Sequence, residues 1–132
     1  MIDSLLINEL IYNTLRNDPV VDSYVGDRLF PLIAANGTNF PFCIYQREGV
    51  QSTLCKDGLY QDEVTVSIKV VSSTYFEGAH IAQAVRRVLQ KPELNYFDAG
   101  TNIKATHIQL ISADEAYEND SYVQLLTFSM TI

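Results

Sequence analysis

The sequence predicts an α+β fold: an antiparallel sheet of about five strands with two helices packed on one face. Three observations carry this. Tyr60–Ser72 alternates strictly, with Val64, Val66, Ile68 and Val70 on one side and Glu63, Thr65, Ser67 and Lys69 on the other. One apolar and one polar face is the pattern of an antiparallel sheet covered on a single side. That strand runs straight into a helical repeat after Thr74, and Tyr122–Ile132 alternates again. The order is helix, strand, strand, strand, helix, strand, strand, which packs most simply as two layers.

The first helix spans Ile2 to Leu15. Ile2, Leu5, Leu6, Ile7, Leu10, Ile11 and Leu15 recur at spacings of three and four and make a broad apolar stripe. Asp3 or Ser4 is placed to cap it, and Asn17-Asp18-Pro19 ends it, because a residue before proline avoids helical backbone. Pro19 suits the first position of a second short helical turn, Pro19 to Tyr24, which Gly26 closes.

Two short apolar runs follow, Arg28–Ile33 and Phe40–Gln46, each with a proline. Proline cannot donate a ladder hydrogen bond, so such strands belong at edges, starts or bulges. In the second run Phe40, Phe42 and Ile44 take one face and Cys43 and Tyr45 the other. Ala34–Asn39 joins the runs through an Asn-Gly turn. Glu48–Leu59, with Gly49, Ser52, Lys56, Asp57 and Gly58, is too long for a tight turn and reads as a mobile loop.

Thr74-Tyr75-Phe76-Glu77 fits a capping box, so a helix starts there. Ala79, Ile81, Ala82, Val85, Val88 and Leu89 form its inner stripe, and it ends near Gln90, before Pro92. Glu93–Asn102 reads as a loop and Ile103–Ser112 as a strand of weaker alternation. Ala113–Ser121 reads as an acidic turn, with Asp114, Glu115, Glu118 and Asp120, before the last strand.

The chain has 132 residues, which suits a single domain, 1–132, burying roughly 65–70% of its unfolded surface. The N-terminus lacks a basic leader and carries Asp3 and Glu9, so it reads as an amphipathic helix of a soluble protein made in the cytoplasm. Sixteen acidic and nine basic residues give a net charge of −7, which argues against binding nucleic acid through its phosphates. Solubility alone also explains that charge.

Chemistry is sparse. His80 and His107 have no cysteine, aspartate or second histidine at ligand spacing. GxSxG, HExxH, GxGxxG and P-loop patterns are absent. The acidic turn has neither the alternating oxygens nor the glycine of a calcium loop. Asn36-Gly37-Thr38 is formally a glycosylation sequon, but without a secretion signal it is only a turn. Cys43 and Cys55 flank a hairpin; a disulfide between them is open, while free thiols suit a cytosolic protein. Tyr45, Tyr60, Tyr75, Phe76, Tyr117 and Tyr122 flank loops or strand ends, which fits either a subunit interface or ordinary packing.

Taken in order, the segments VGDRLFPLIA and NFPFCIYQR, the polar loop, Tyr60–Ser72 leading into Thr74–Leu89, and ADEAYENDSYVQLLTFSMTI resemble the tail-completion, or tail-terminator, proteins of long-tailed bacteriophages and prophages. The resemblance spans essentially the whole chain. It implies a structural protein without catalysis, cofactor, membrane or small-molecule substrate. Such proteins form a ring, often a hexamer, on the head-proximal end of the tail tube. The ring stops tube growth and meets the head connector, and DNA passes through it without specific binding. The implied partners are further copies of the chain, the tail tube protein and the connector or neck protein. The implied places are the host cytoplasm during assembly and the virion tail. The interaction candidates are Gln51, Ser52, Lys56, Asp57 and Tyr60 in and beside the loop, and Asp114 and Glu118 in the acidic turn. Competing readings are another head–tail neck protein and a small α+β ligand-binding or regulatory domain. No convergent polar pocket supports the latter, and no acid–base or nucleophile pair supports an enzyme.

Overall fold

The computed structural model describes residues 3–132. Its elements are α1 (Ile7–Arg16), α2 (Pro19–Val25), β1 (Leu29–Pro31), β2 (Phe42–Leu54), β3 (Tyr60–Ser72), α3 (Tyr75–Leu89), β4 (Glu93–Asp98), β5 (Thr101–Glu118) and β6 (Ser121–Thr131). The strands form one six-stranded sheet in the order β1-β2-β3-β6-β5-β4. The three helices lie against one face, so the α+β architecture holds.

The core sits between the two layers. Val64, Val66, Ile68 and Val70 of β3 and Leu126, Phe128 and Met130 of β6 are buried under Ile81, Val85 and Leu89 of α3. Ile7, Leu10, Ile11 and Leu15 of α1 complete the layer. Gly78 allows the start of α3 to lie close on the sheet: a Cβ there would meet the Ser72 Cβ at 3.3 Å.

Helix ends differ in how they are held. Asp18 caps α2 by accepting from Val20 N (3.1 Å) and Val21 N (2.9 Å), and Gly26 follows the last turn. The expected capping box of α3 is rearranged. Thr74 is the cap residue but makes no side-chain cap bond. Instead Ser72 Oγ accepts from Thr74 N (3.2 Å) and donates to Glu77 Oε1 (2.9 Å). The first helix also starts differently. Residues Ser4–Leu6 form a 3-10 turn before α1, and neither Asp3 nor Ser4 caps through its side chain. Asp3 accepts from Asn102 N at 3.0 Å instead, and Ser4 is buried. Leu5 and Leu6 leave the stripe and are exposed; Ile2 lies outside the described residues.

The sheet departs from expectation at four places. β1 pairs parallel to β2, so the sheet is mixed, and the segment between them crosses back over residues 32–41. Glu93–Asn102 is not all loop: β4 pairs with β5 from Glu93↔Thr106 to Asp98↔Thr101. β2 continues through the expected mobile loop to Leu54, leaving only Cys55–Leu59 as a turn. The acidic segment is likewise strand as far as Glu118, and only Asn119 and Asp120 turn, both at positive φ (51° and 59°). Two-residue hairpin loops need that backbone, and Asn and Asp tolerate it.

Candidate functional site

β2 and β3 stay paired from Phe42↔Val71 to Leu54↔Tyr60, with a bulge between Arg47 and Gly49. Ser67 Oγ donates to Glu48 Oε1 (2.7 Å) across that bulge. β6 accompanies β3 only from Ser72 to Glu63, and β1 accompanies β2 only from Cys43 to Tyr45. The chain after β6 adds one more bond, Ile132 N to Asp62 O (2.9 Å), so residues 51–54 and 60–61 have no third strand beside them among the described residues. They form a two-stranded arm beyond the sheet. Its tip is closed by Gly58 N to Cys55 O (3.0 Å), Cys55 N to Leu59 O (2.7 Å) and Leu59 N to Asp57 Oδ1 (3.0 Å). Gly58 sits at φ 84°, where other residues are strained.

The five candidates from the expected loop all lie on this arm. Gln51 and Ser52 pair with Glu63 and Asp62, Lys56 and Asp57 form the turn, and Tyr60 pairs with Leu54. The apolar character of the tip escaped the sequence reading: Leu54, Leu59 and Tyr60 are 60%, 67% and 60% exposed. Hairpin tips are ordinarily polar, and here three large apolar side chains stand together in solvent. At the arm's base Asp62 is buried, with Oδ1 lacking a hydrogen-bond partner.

Asp114 and Glu118 lie at the other end of the sheet. They occupy the face without helices, where Glu118 bridges Lys69 at 2.9 Å. Glu115 points to the opposite face and accepts from Tyr75 Oη (2.8 Å) and Gln124 Nε2 (3.0 Å). That hydrogen bond, with the carboxylate's charge, raises the Tyr75 phenol above its ordinary pKa. Tyr75 also packs against Phe76 and Tyr122, and Tyr122 against Tyr117, with ring centroids 5.2, 5.9 and 4.9 Å apart. The two candidate groups are thus not one site. From Tyr60 to Lys69, beside Asp114 and Glu118, β3 runs roughly 30 Å.

Between them the helix-free face holds a groove of about 360 Å³, lined by Leu32, Ile44, Val123 and Leu125 and rimmed by Glu48, Asp114 and Glu118. Its signal was present in β2. Phe42 and Ile44 alternate with Cys43 and Tyr45, so both faces of that strand are apolar. A strand apolar on both faces asks for cover on both.

Cys43 is buried, and desolvation pushes its thiol up to about 12. Cys55 sits at the arm tip, and both thiols are free. The length of β2 separates them by roughly 40 Å, which no disulfide spans. His80 and His107 are exposed, and no group of three or more His, Cys, Asp or Glu able to hold a metal occurs among the described residues. Among those residues, no helix is long and apolar enough to cross a membrane.

The model of a protein family described as Tail completion protein gp17 matches residues 9–132. No curated protein matches the chain in sequence. A solved chain from the structure described as "Virion of native gene transfer agent (GTA) particle" shares the fold at a TM-score of 0.76 and 18% identity. That match covers 92% of this chain and 90% of the other.

Proposed function

We propose, from the premise that the chain belongs to the tail completion protein family, that it caps the head-proximal end of the phage tail tube, ends tube polymerisation and joins the tail to the head connector. Family membership makes it a structural protein of the phage tail, and the match over residues 9–132 is the observation that carries this reading. In it the whole chain acts as one unit, without catalysis or cofactor. Copies close into a ring, a hexamer in our reading, which contacts the tube protein below and the connector above. Assembly takes place in the host cytoplasm, and DNA passes through the lumen.

The physical features suit that role. A ring closed by rotation needs two different surfaces on each copy, one for each neighbour. The chain offers an arm beyond one end of its sheet and, further along the helix-free face, an apolar groove with an acidic rim. Its net charge of −7 opposes the phosphate contacts that would hold DNA in transit.

The experiment is removal of the chain from a particle-producing strain, with electron microscopy of the lysate. Over-long tails beside DNA-filled, tailless heads are expected, and re-supplying the chain restores joined particles. Tails of normal length that merely fail to join would reassign the chain to a neck role. Normal particles would overturn the reading.

A further inference from the structure

We propose that the tip of the β2–β3 arm of one copy seats in the helix-free groove of the next copy in the ring. This rests on the ring reading above and names the surfaces that close it. The tip presents Leu54, Leu59 and Tyr60 to solvent, and the groove floor presents Leu32, Ile44 and Leu125. Each is an apolar surface without a partner in its own chain.

One cation on the tip faces the anions of the rim. The groove rim carries Glu48, Asp114 and Glu118, and its one cation, Lys69, is already engaged by Glu118. The arm tip carries Lys56, which is exposed and makes no salt bridge among the described residues, while its neighbour Asp57 is turned back into the tip to accept from Leu59 N at 3.0 Å. Seating the apolar tip on the floor brings this free cation to an anionic rim, where a close charge pair fixes register.

The geometry excludes self-docking. The tip stands roughly 23 Å along β3 from Ser67, the nearest residue of that strand to line the groove, so an arm cannot fold back into its own groove without tearing the sheet. The relation is therefore head-to-tail, the heterologous kind that closes into rings.

Cys55 gives the test a native probe. Leu125→Cys places a thiol in the groove, roughly 30 Å or more along the sheet from Cys55 of the same chain. Any bridge between the two must join two copies. Tails assembled with this variant are oxidised and run on non-reducing gels. A ladder of cross-linked copies that rises to the ring number and vanishes with Cys55→Ser is expected. Gln46→Cys, on the groove wall, repeats the test should Leu125→Cys fold poorly. Tails that carry a multi-copy ring by native mass, yet give no ladder with either folded variant, overturn the seating and leave the ring; the arm tip would then face the tube or connector. Tails that carry the chain in single copies overturn both.

Discussion

The two halves of the β2–β3 hairpin share strands, register and backbone hydrogen bonding but have opposite surroundings. In the body, Cys43 and Tyr45 pair with Val70 and Ile68, and all four are buried beneath the helices. In the arm, every residue from Gln51 to Leu54 is exposed, and so are Tyr60 and Gln61. Hairpin pairing is therefore not what stabilises the body; burial is. An isolated two-stranded ribbon is marginal in water. An arm of this kind persists because the body holds its base, and its apolar tip gains only when another surface covers it.

The sharpest contrast is chemical and lies along one strand. At pH 8 an alkylating reagent is expected to modify Cys55 readily. It should modify Cys43 roughly a thousandfold more slowly, since that thiol reacts only when the body opens. Mass spectrometry of the two peptides over time reads the ratio, and similar rates would erase the distinction. The raised Cys43 pKa also has a sign. The folded state keeps the proton, so its contribution is complete below the ordinary value of 9.0 and is lost as pH rises towards about 12.

Next in size is the body itself. Ile68→Ala empties a fully buried site and is expected to cost about 2–5 kcal/mol in denaturant unfolding. Asp18→Ala removes both cap bonds of α2 and a 3.6 Å ion pair with Arg87, for about 1–2 kcal/mol. Replacing Thr53–Gln61 with Asn-Gly, which shortens the arm to a two-residue turn after Ser52, is expected to change stability by about 0.5 kcal/mol or less. It should nonetheless abolish joined particles. If the shortened chain instead unfolds like Ile68→Ala, arm and body are one cooperative structure and the comparison fails.

The smallest effect concerns Glu93 and Lys104, which meet at 2.8 Å on the exposed β4–β5 ladder. Their hydrogen bond lowers the Glu93 pKa and raises that of Lys104. The pair therefore helps between the two ordinary values, 4.5 and 10.5, and fades as pH falls through the lowered Glu93 value or rises through the raised Lys104 value. Both groups are solvated, so Glu93→Gln should leave the melting temperature within error at pH 7.

The sequence was most readable where burial imposes a period. The alternation of Val64–Val70, the stripe of Ile81–Leu89 and the proline-capped turn after Asp18 all stand in the structure as expected. It was least readable where strands are exposed. Glu48–Leu54 and Ala113–Glu118 have strand hydrogen bonds but no buried face, so glycine, serine and acidic residues there imitate a loop. β4 is short and only partly covered, with Leu94 and Tyr96 half-buried against the core and Phe97 at the edge 79% exposed. The candidate residues were found as polar loop positions. Their more telling neighbours, Leu54 and Leu59, were not, because an apolar residue in a misread loop carries no period.

In the proposed role the chain sits as a cap at the head-proximal end of the tail tube. Cryo-electron microscopy of joined particles, with this fold placed into the map, tests it most directly. A single closed ring of this fold between the last tube layer and the connector, with arms reaching from copy to copy, is expected. The fold found along the tube, at the distal tip, or nowhere in the joined particle would contradict it.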